Sequence, residues 1–554
     1  MRFLRSGFVH GLALLALAAC SAREVSSFTW IDPRGAQLGF SRPGSVEGEE
    51  GLIEGGAPSA QFRLSHPFAA AEAGALSLEL ALTAPARVSL GFLDADGAKR
   101  TDYELFAPDP SMTLVFPLEG HASIDGIELG IQPLASGNEG GTKAEGAPKP
   151  IATLKGLAFV AAFHGLAKGP GMTTLSPGFS LLRSEGRLVA RIERPFADVV
   201  PLGEGLPALR LGWRPGSAKG TIELVVPGLK AHHVAIRPGA DGILIPEGWF
   251  GAAKDPAYIE FVAPAGLDIV ECATRAYPRE AMDTLDLGVV LNLPPPSPAV
   301  PFEVYRWDAL PKVLVFDFAD YAAQDAALKR LAFFVEKAGY RGRLAPDKEI
   351  AALHGWNAHD YRASDLAAFF EKARRTSFQL GESELTIRGL LLSAGIIRAT
   401  DSGYVAGEGA MISISRESPS WLRATFMAHE ASHAIYFTDP DFNAFVRKEW
   451  AAIGKDERWF WKLYFGWMNY DTADEDLMAT EFMAYLYQQP VSHVDQYFTK
   501  ILPSRLLENH PDLKPRIDAW MARFGPTFKV HAEAIEAWLK ERYGFVAARP
   551  WSLY

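Results

Sequence analysis

Cysteine is nearly missing from this chain: Cys20 and Cys272 are the only two among 554 residues. Two thiols cannot build a disulfide framework, so the fold must rest on core burial. Cys272, in LDIVECATRAY, reads as a packed small hydrophobe, because nothing nearby supplies a base to activate it. Positive charge is also in deficit. With 55 Lys and Arg against 66 Asp and Glu, the net charge is −11, which argues against nucleic acid as a partner. No internal stretch approaches the apolar length of a membrane-spanning helix.

What is present is an ordinary globular composition, 48% hydrophobic and 22% charged, and a length sufficient for about three domains. Segments such as Leu76–Leu82, Ala86–Gly97 and Ile124–Gln132 alternate and turn like antiparallel strands, which suggests a β-sandwich-like domain over residues 20–165. A second β-rich domain is expected over 166–293. Pro294-Pro295-Pro296 opens a semi-rigid linker, 294–304. Helical spacing dominates 305–554. The fold class is therefore multidomain: two all-β sandwich-like domains, then a mainly helical α+β domain. The β domains read as spacers or scaffold, or as binders of a glycan or an envelope protein.

The first twenty residues carry Arg2 and Arg5, then an apolar run from Phe8 to Ala19 that is too short to span. Leu17-Ala18-Ala19-Cys20 resembles the bacterial lipobox. The resemblance implies a signal peptide over 1–19, lipidation of Cys20 and a protein tethered to a membrane surface in the bacterial envelope. Serine at position 21 is compatible with an outer-membrane address.

The residues His429-Glu430-Ala431-Ser432-His433 carry the strongest chemical pattern. Residues at i and i+4 lie one above the other on a helix, so both imidazoles can reach one metal ion. The glutamate between them is close enough to take a proton from a water held there. A helix is expected over Ser418–Pro440, with Ser418 as N-cap, Pro419 at its first position and Asp439-Pro440 as its stop. Leu422, Phe426, Met427, Ala431, Ala434 and Ile435 make most of it apolar, so the histidines need partners. Core histidines bonded to backbone carbonyls are the plainer alternative.

A second helix is expected between Asp471 and Pro490. Its acidic first turn, Asp474, Glu475 and Asp476, suits the positive end of the helix dipole. Glu481 sits mid-helix among Leu477, Met478, Phe482 and Met483, where a carboxylate is costly unless it meets a cation. Glu475 and Glu481 point in different directions, and Glu481 is the favoured third ligand. Asp439 is a rival, but a chain turning back to the metal there needs a glycine where Tyr436 stands.

HEASH followed by a helix containing EFMAYLY (Glu481–Tyr487) resembles the gluzincin division of the zincin metallopeptidases. The resemblance covers about the last half of the chain and is specific at these two helices. The thermolysin-type second motif has an asparagine just before the ligand and an aspartate four residues after it; Thr480 and Tyr485 stand there in this chain. The resemblance implies a zincin-like fold and Zn²⁺ on His429, His433 and Glu481. It implies Glu430 as general base, and Tyr436, Tyr470 or Tyr485 as stabiliser of the oxyanion. It also implies hydrolysis of an extracytoplasmic protein or peptide. The strand expected at Ala410–Ser418 could offer an exposed edge to an extended peptide.

His354, His359 and Asp360, in LHGWNAHDYRASD, read as capping and turn residues ahead of a second metal or substrate site. The aromatic run Arg458–Tyr470 reads as a helix packed on the metal helix. The alternative function is an envelope binding lipoprotein whose metallopeptidase-like domain is non-catalytic. A chance HEASH in an unrelated helical domain would leave Glu481 away from the two histidines.

Overall fold

The computed structural model describes residues 206–554, apart from 254–255, 278–282, 297–298, 338 and 356. Before residue 206 it describes strands between Phe28 and Glu193, a turn at 194–196 and few side chains. The signal segment 1–19 and Cys20 lie outside the described residues. The chain divides into two compact units, residues 1–232 with 241–278 and residues 233–240 with 279–554.

The first unit is β-rich, and its strands pair across the boundary expected at residue 165. Phe179–Ser184 lies antiparallel to Arg187–Glu193 and parallel to Gly97–Leu105. Met172–Leu175 lies parallel to both Met112–Pro117 and Ile269–Tyr277. The stretches read as two domains thus share their sheets. Parallel neighbours are joined by long crossovers rather than hairpins, and local alternation carries no record of such partners. Cys272 is fully buried and unpaired; burial first, then Glu271, push its thiol pKa far up, so it is an inert core residue.

The second unit is built on a five-stranded sheet. In chain order the strands are β1 (Thr284–Leu285), β2 (Phe302–Trp307), β3 (Leu310–Phe318), β4 (His359–Arg362) and β5 (Ala410–Ser415). In space the order is β1-β2-β3-β5-β4. Its helices include α1 (Tyr321–Val335), α2 (Ala363–Arg375), α3 (Glu382–Ser393), α4 (Ser420–Thr438), α5 (Pro440–Ala452), α6 (Lys455–Trp467), α7 (Glu475–Tyr487) and α8 (Thr527–Tyr543). A β-rich first part followed by a largely helical part matches the coarse reading of the sequence.

Two expectations change. The prolines at 294–296 join the short helix Leu287–Asn292 to β2, both within the second unit, so they do not separate domains. Asp286 explains why that helix belongs here. It caps the helix through Gly288 N at 2.9 Å and accepts from Ser552 N at 2.6 Å and Leu553 N at 3.1 Å.

The second change concerns the sheet edge. β5, expected as an exposed edge, is central: it runs parallel to β3 and antiparallel to β4, and all six of its residues are buried. The edge belongs to β4, a segment expected to be turns. Strand alternation divides β4 between two layers. Tyr361 joins Leu314, Phe316, Met411, Leu328, Leu366 and Phe370 in the core under α1 and α2. His359 bonds Ser413 and Gln324 of α1 on that side. Asp360 and Arg362 face the other way, towards α4 and α7.

The metal-pattern helix α4 lies on that second face. Arg423 of α4 reaches Asp317 of β3 at 3.1 Å, and Arg416 reaches it at 2.8 Å, which ties helix to sheet through a buried carboxylate. Pro419 occupies the N-cap of α4 without a side-chain bond. Ser418, expected to cap it, pairs with Tyr321 Oη at 2.7 Å instead. Asp439 both ends α4 and begins α5, accepting from Asp441 N at 2.9 Å and Phe442 N at 3.2 Å. Tyr543 of α8 donates to the other Asp439 oxygen at 2.6 Å.

Candidate metal centre

His429 and His433 are one turn apart on α4 and both are buried. Their Nε2 atoms stand 3.1 Å apart. Glu481 of α7 completes the group, with one oxygen 3.6 Å from His429 Nε2 and the other 3.7 Å from His433 Nε2. The three residues offer donor atoms that lie within 4.8 Å of one another, so they can hold a metal ion. A chance HEASH would leave Glu481 elsewhere.

The remaining imidazole nitrogens are spoken for. His429 Nδ1 meets Gln488 Oε1 at 2.9 Å, and His433 Nδ1 meets Thr480 Oγ1 at 2.8 Å. Such bonds turn each Nε2 lone pair towards the centre. Both partners come from the Glu481 helix or its C-terminal cap. Thr480, which departs from the thermolysin-type asparagine, thus orients a ligand. Burial first, then His429, hold the His433 pKa well below the ordinary histidine value, so its ring is neutral, the form that binds metal.

The carboxylates also fit a cation. One oxygen each of Glu430 and Glu481 is buried with no hydrogen-bond partner. Such atoms are costly unless something positive meets them. Burial, and next the adjacent Asp360, push Glu430 well above the usual carboxylate range. Glu336, at the end of α1, is also raised, by burial and then by Asp360 and Glu481. Asp360 hydrogen-bonds Glu430 and is pushed up to about 7, chiefly by burial and then by Glu481. A nitrogen- and oxygen-preferring divalent ion suits this donor set.

The other candidates separate clearly. Glu475 is half exposed and is held by Trp450 Nε1 at 2.8 Å, Lys462 at 2.6 Å and Arg458 at 3.2 Å, so it is not at the centre. Asp439 is a double cap. Tyr436 donates to Asp476 and accepts from Arg447 at 3.2 Å, which commits its hydroxyl away from the histidines. Tyr485 sets its ring edge on His429, centroids 4.9 Å apart. Its hydroxyl joins those of Tyr464 and Tyr470, and Tyr464 leads on to Tyr497 and Gln488. Tyr470 and Tyr485 are therefore at the centre and Tyr436 is not. His354 is exposed, and His359 faces the opposite layer. Gln488 and Glu336 were not singled out from the sequence, and Asp360 was read as a capping and turn residue ahead of a metal or substrate role, whereas it lies beside Glu430 and His433.

No family model matches the chain, and no curated protein matches it.

Proposed function

We propose that the second unit is a zincin-like zinc peptidase that hydrolyses peptide bonds of an extracytoplasmic protein or peptide. The observation that carries this reading is the convergence of His429, His433 and Glu481, with Glu430 beside them. Zn²⁺ at this donor set would supply Lewis acidity, polarising a carbonyl and easing deprotonation of water. The protein's own residues do the rest. Gln488 and Thr480 fix the two rings. Glu430 takes the proton of the attacking water and returns it to the leaving amine. β4, the terminal strand of the sheet among the described residues, pairs an extended substrate and sets its carbonyl over the centre. Tyr470, linked to Tyr485, donates to the oxyanion that forms.

Lipidation of Cys20 would hold this unit at a membrane surface. Labelling with palmitate, abolished in Cys20→Ala, tests that part.

The central test is Glu430→Gln. It is expected to keep stoichiometric zinc and lose at least about 100-fold in cleavage of a peptide library. Full activity in that variant would sink the mechanism. Bound zinc without cleavage by the wild-type protein would favour the non-catalytic binding lipoprotein.

A further inference from the structure

The edge strand brings one more donor to this centre than the metal pattern requires. Asp360 Oδ1 lies 3.8 Å from His433 Nε2, against 3.7 Å for Glu481 Oε1. Asp360, Glu430 and His433 form a second group with donor atoms within 4.8 Å of one another, and it shares His433 with the first. Two donors about 2.1 Å from a tetrahedral ion stand about 3.4 Å apart, so the Asp360–His433 separation is close to that of two donors to one ion. Glu430, in that same second group, keeps a buried oxygen with no partner.

The strand fixes this approach. His359 is tied to Ser413 at 3.1 Å on the opposite layer, and Arg362 to Asp476 of α7 at 3.0 Å. Between these two anchors the Asp360 side chain has α4 in front of it. Its carboxyl is mostly covered, at 17% exposure, where a solvated turn residue would be open.

We infer that Asp360 is a fourth protein donor to the ion, closing the centre until an oxygen ligand such as a substrate carbonyl displaces it. The inference rests on the metal reading of His429, His433 and Glu481 and is independent of whether peptides are cleaved. A site with four protein donors has no open position, whereas a catalytic site keeps one. Because Asp360 sits on β4, a strand pairing along that edge would act on the residue that closes the centre. Opening and substrate docking become one event.

Cobalt(II) is the probe, titrated into the full chain with ion binding read from its visible absorption. Asp360→Ala is expected to bind cobalt at least about tenfold more weakly than wild type, with a changed spectrum. It should also respond to acetohydroxamate at concentrations that leave the wild-type spectrum unmoved. Asp360→Asn keeps the side-chain shape and guards against misfolding; its metal-free melting curve should overlay that of wild type, and its cobalt affinity should fall in the same direction. Equal cobalt affinity and equal acetohydroxamate response in wild type and both variants would overturn the inference while leaving the metal reading intact. Failure of wild type to bind cobalt, or Glu481→Gln binding it as wild type does, would overturn the metal reading and this inference with it.

Discussion

Gln488 and His429 stand 2.9 Å apart, the Gln488 oxygen against the His429 Nδ1, at the point where α7 ends. The same helix supplies Glu481 and Thr480, so one element provides a ligand and both ring-orienting partners. Loss of an orienting partner commonly weakens a metal site by about 10–100-fold. Gln488→Ala and Thr480→Val are each expected to fall in that range in a competition assay with a chelating dye. The Zn²⁺ to protein ratio at saturation should stay the same.

The two glutamates of α7 give a paired contrast. Glu481→Gln removes a buried donor and should abolish tight ion binding. Glu475→Gln removes only partly exposed contacts with Lys462 and Arg458 and should leave ion affinity unchanged. Its stability loss should stay near 1 kcal/mol or below in urea unfolding, about the ceiling for exposed pairs. The reverse pattern would assign the ligand to Glu475.

Chelation offers a second readout. An ion bound only by the folded protein adds about 2.7 kcal/mol when present at 100 times its Kd. Addition of EDTA should lower the melting temperature of wild type, while His433→Ala should melt alike with and without the chelator.

Asp317 is fully buried between Arg416 and Arg423. Breaking a buried pair by removing one partner leaves charge uncompensated and costs about 3–5 kcal/mol. Asp317→Ala should lower the unfolding free energy from urea titration by that amount and loosen α4, seen as faster amide exchange in 420–438.

His531 of α8 links to Glu449 at 3.3 Å and Glu457 at 3.5 Å. Burial works against its charged form, but the bonds to Glu457 and then Glu449 outweigh it and raise its pKa above 6.5. A raised folded pKa gives stability that is complete below the unfolded value and is lost as pH rises through the folded value. Wild type should therefore exceed His531→Gln in urea midpoint most at acid pH, with the difference narrowing above neutrality.

The metal helix, the glutamate helix and the choice of Glu481 over Glu475 were legible because each rests on local spacing and local polarity. HEASH fixes two rings by geometry alone, and a carboxylate among Leu477, Met478 and Phe482 has few explanations. The edge strand was not legible. His359–Arg362 is only four residues long, and its partner β5 follows some fifty residues later, so local propensity favoured a turn. AMISIS reads equally well as an edge or a centre, because only the pairing decides. The shared sheets of the first unit escaped for the same reason: their parallel partners lie across residue 165.

Asp439 closes the helix that carries both histidines, and Tyr543, over a hundred residues further along, holds it. A chain that leaves the ribosome or crosses a membrane from its N-terminus presents HEASH long before its clamp exists. Glu481, Gln488 and Tyr543 all follow the histidines in the chain, so the full set of contacts around the two rings exists only once the last helix has been made.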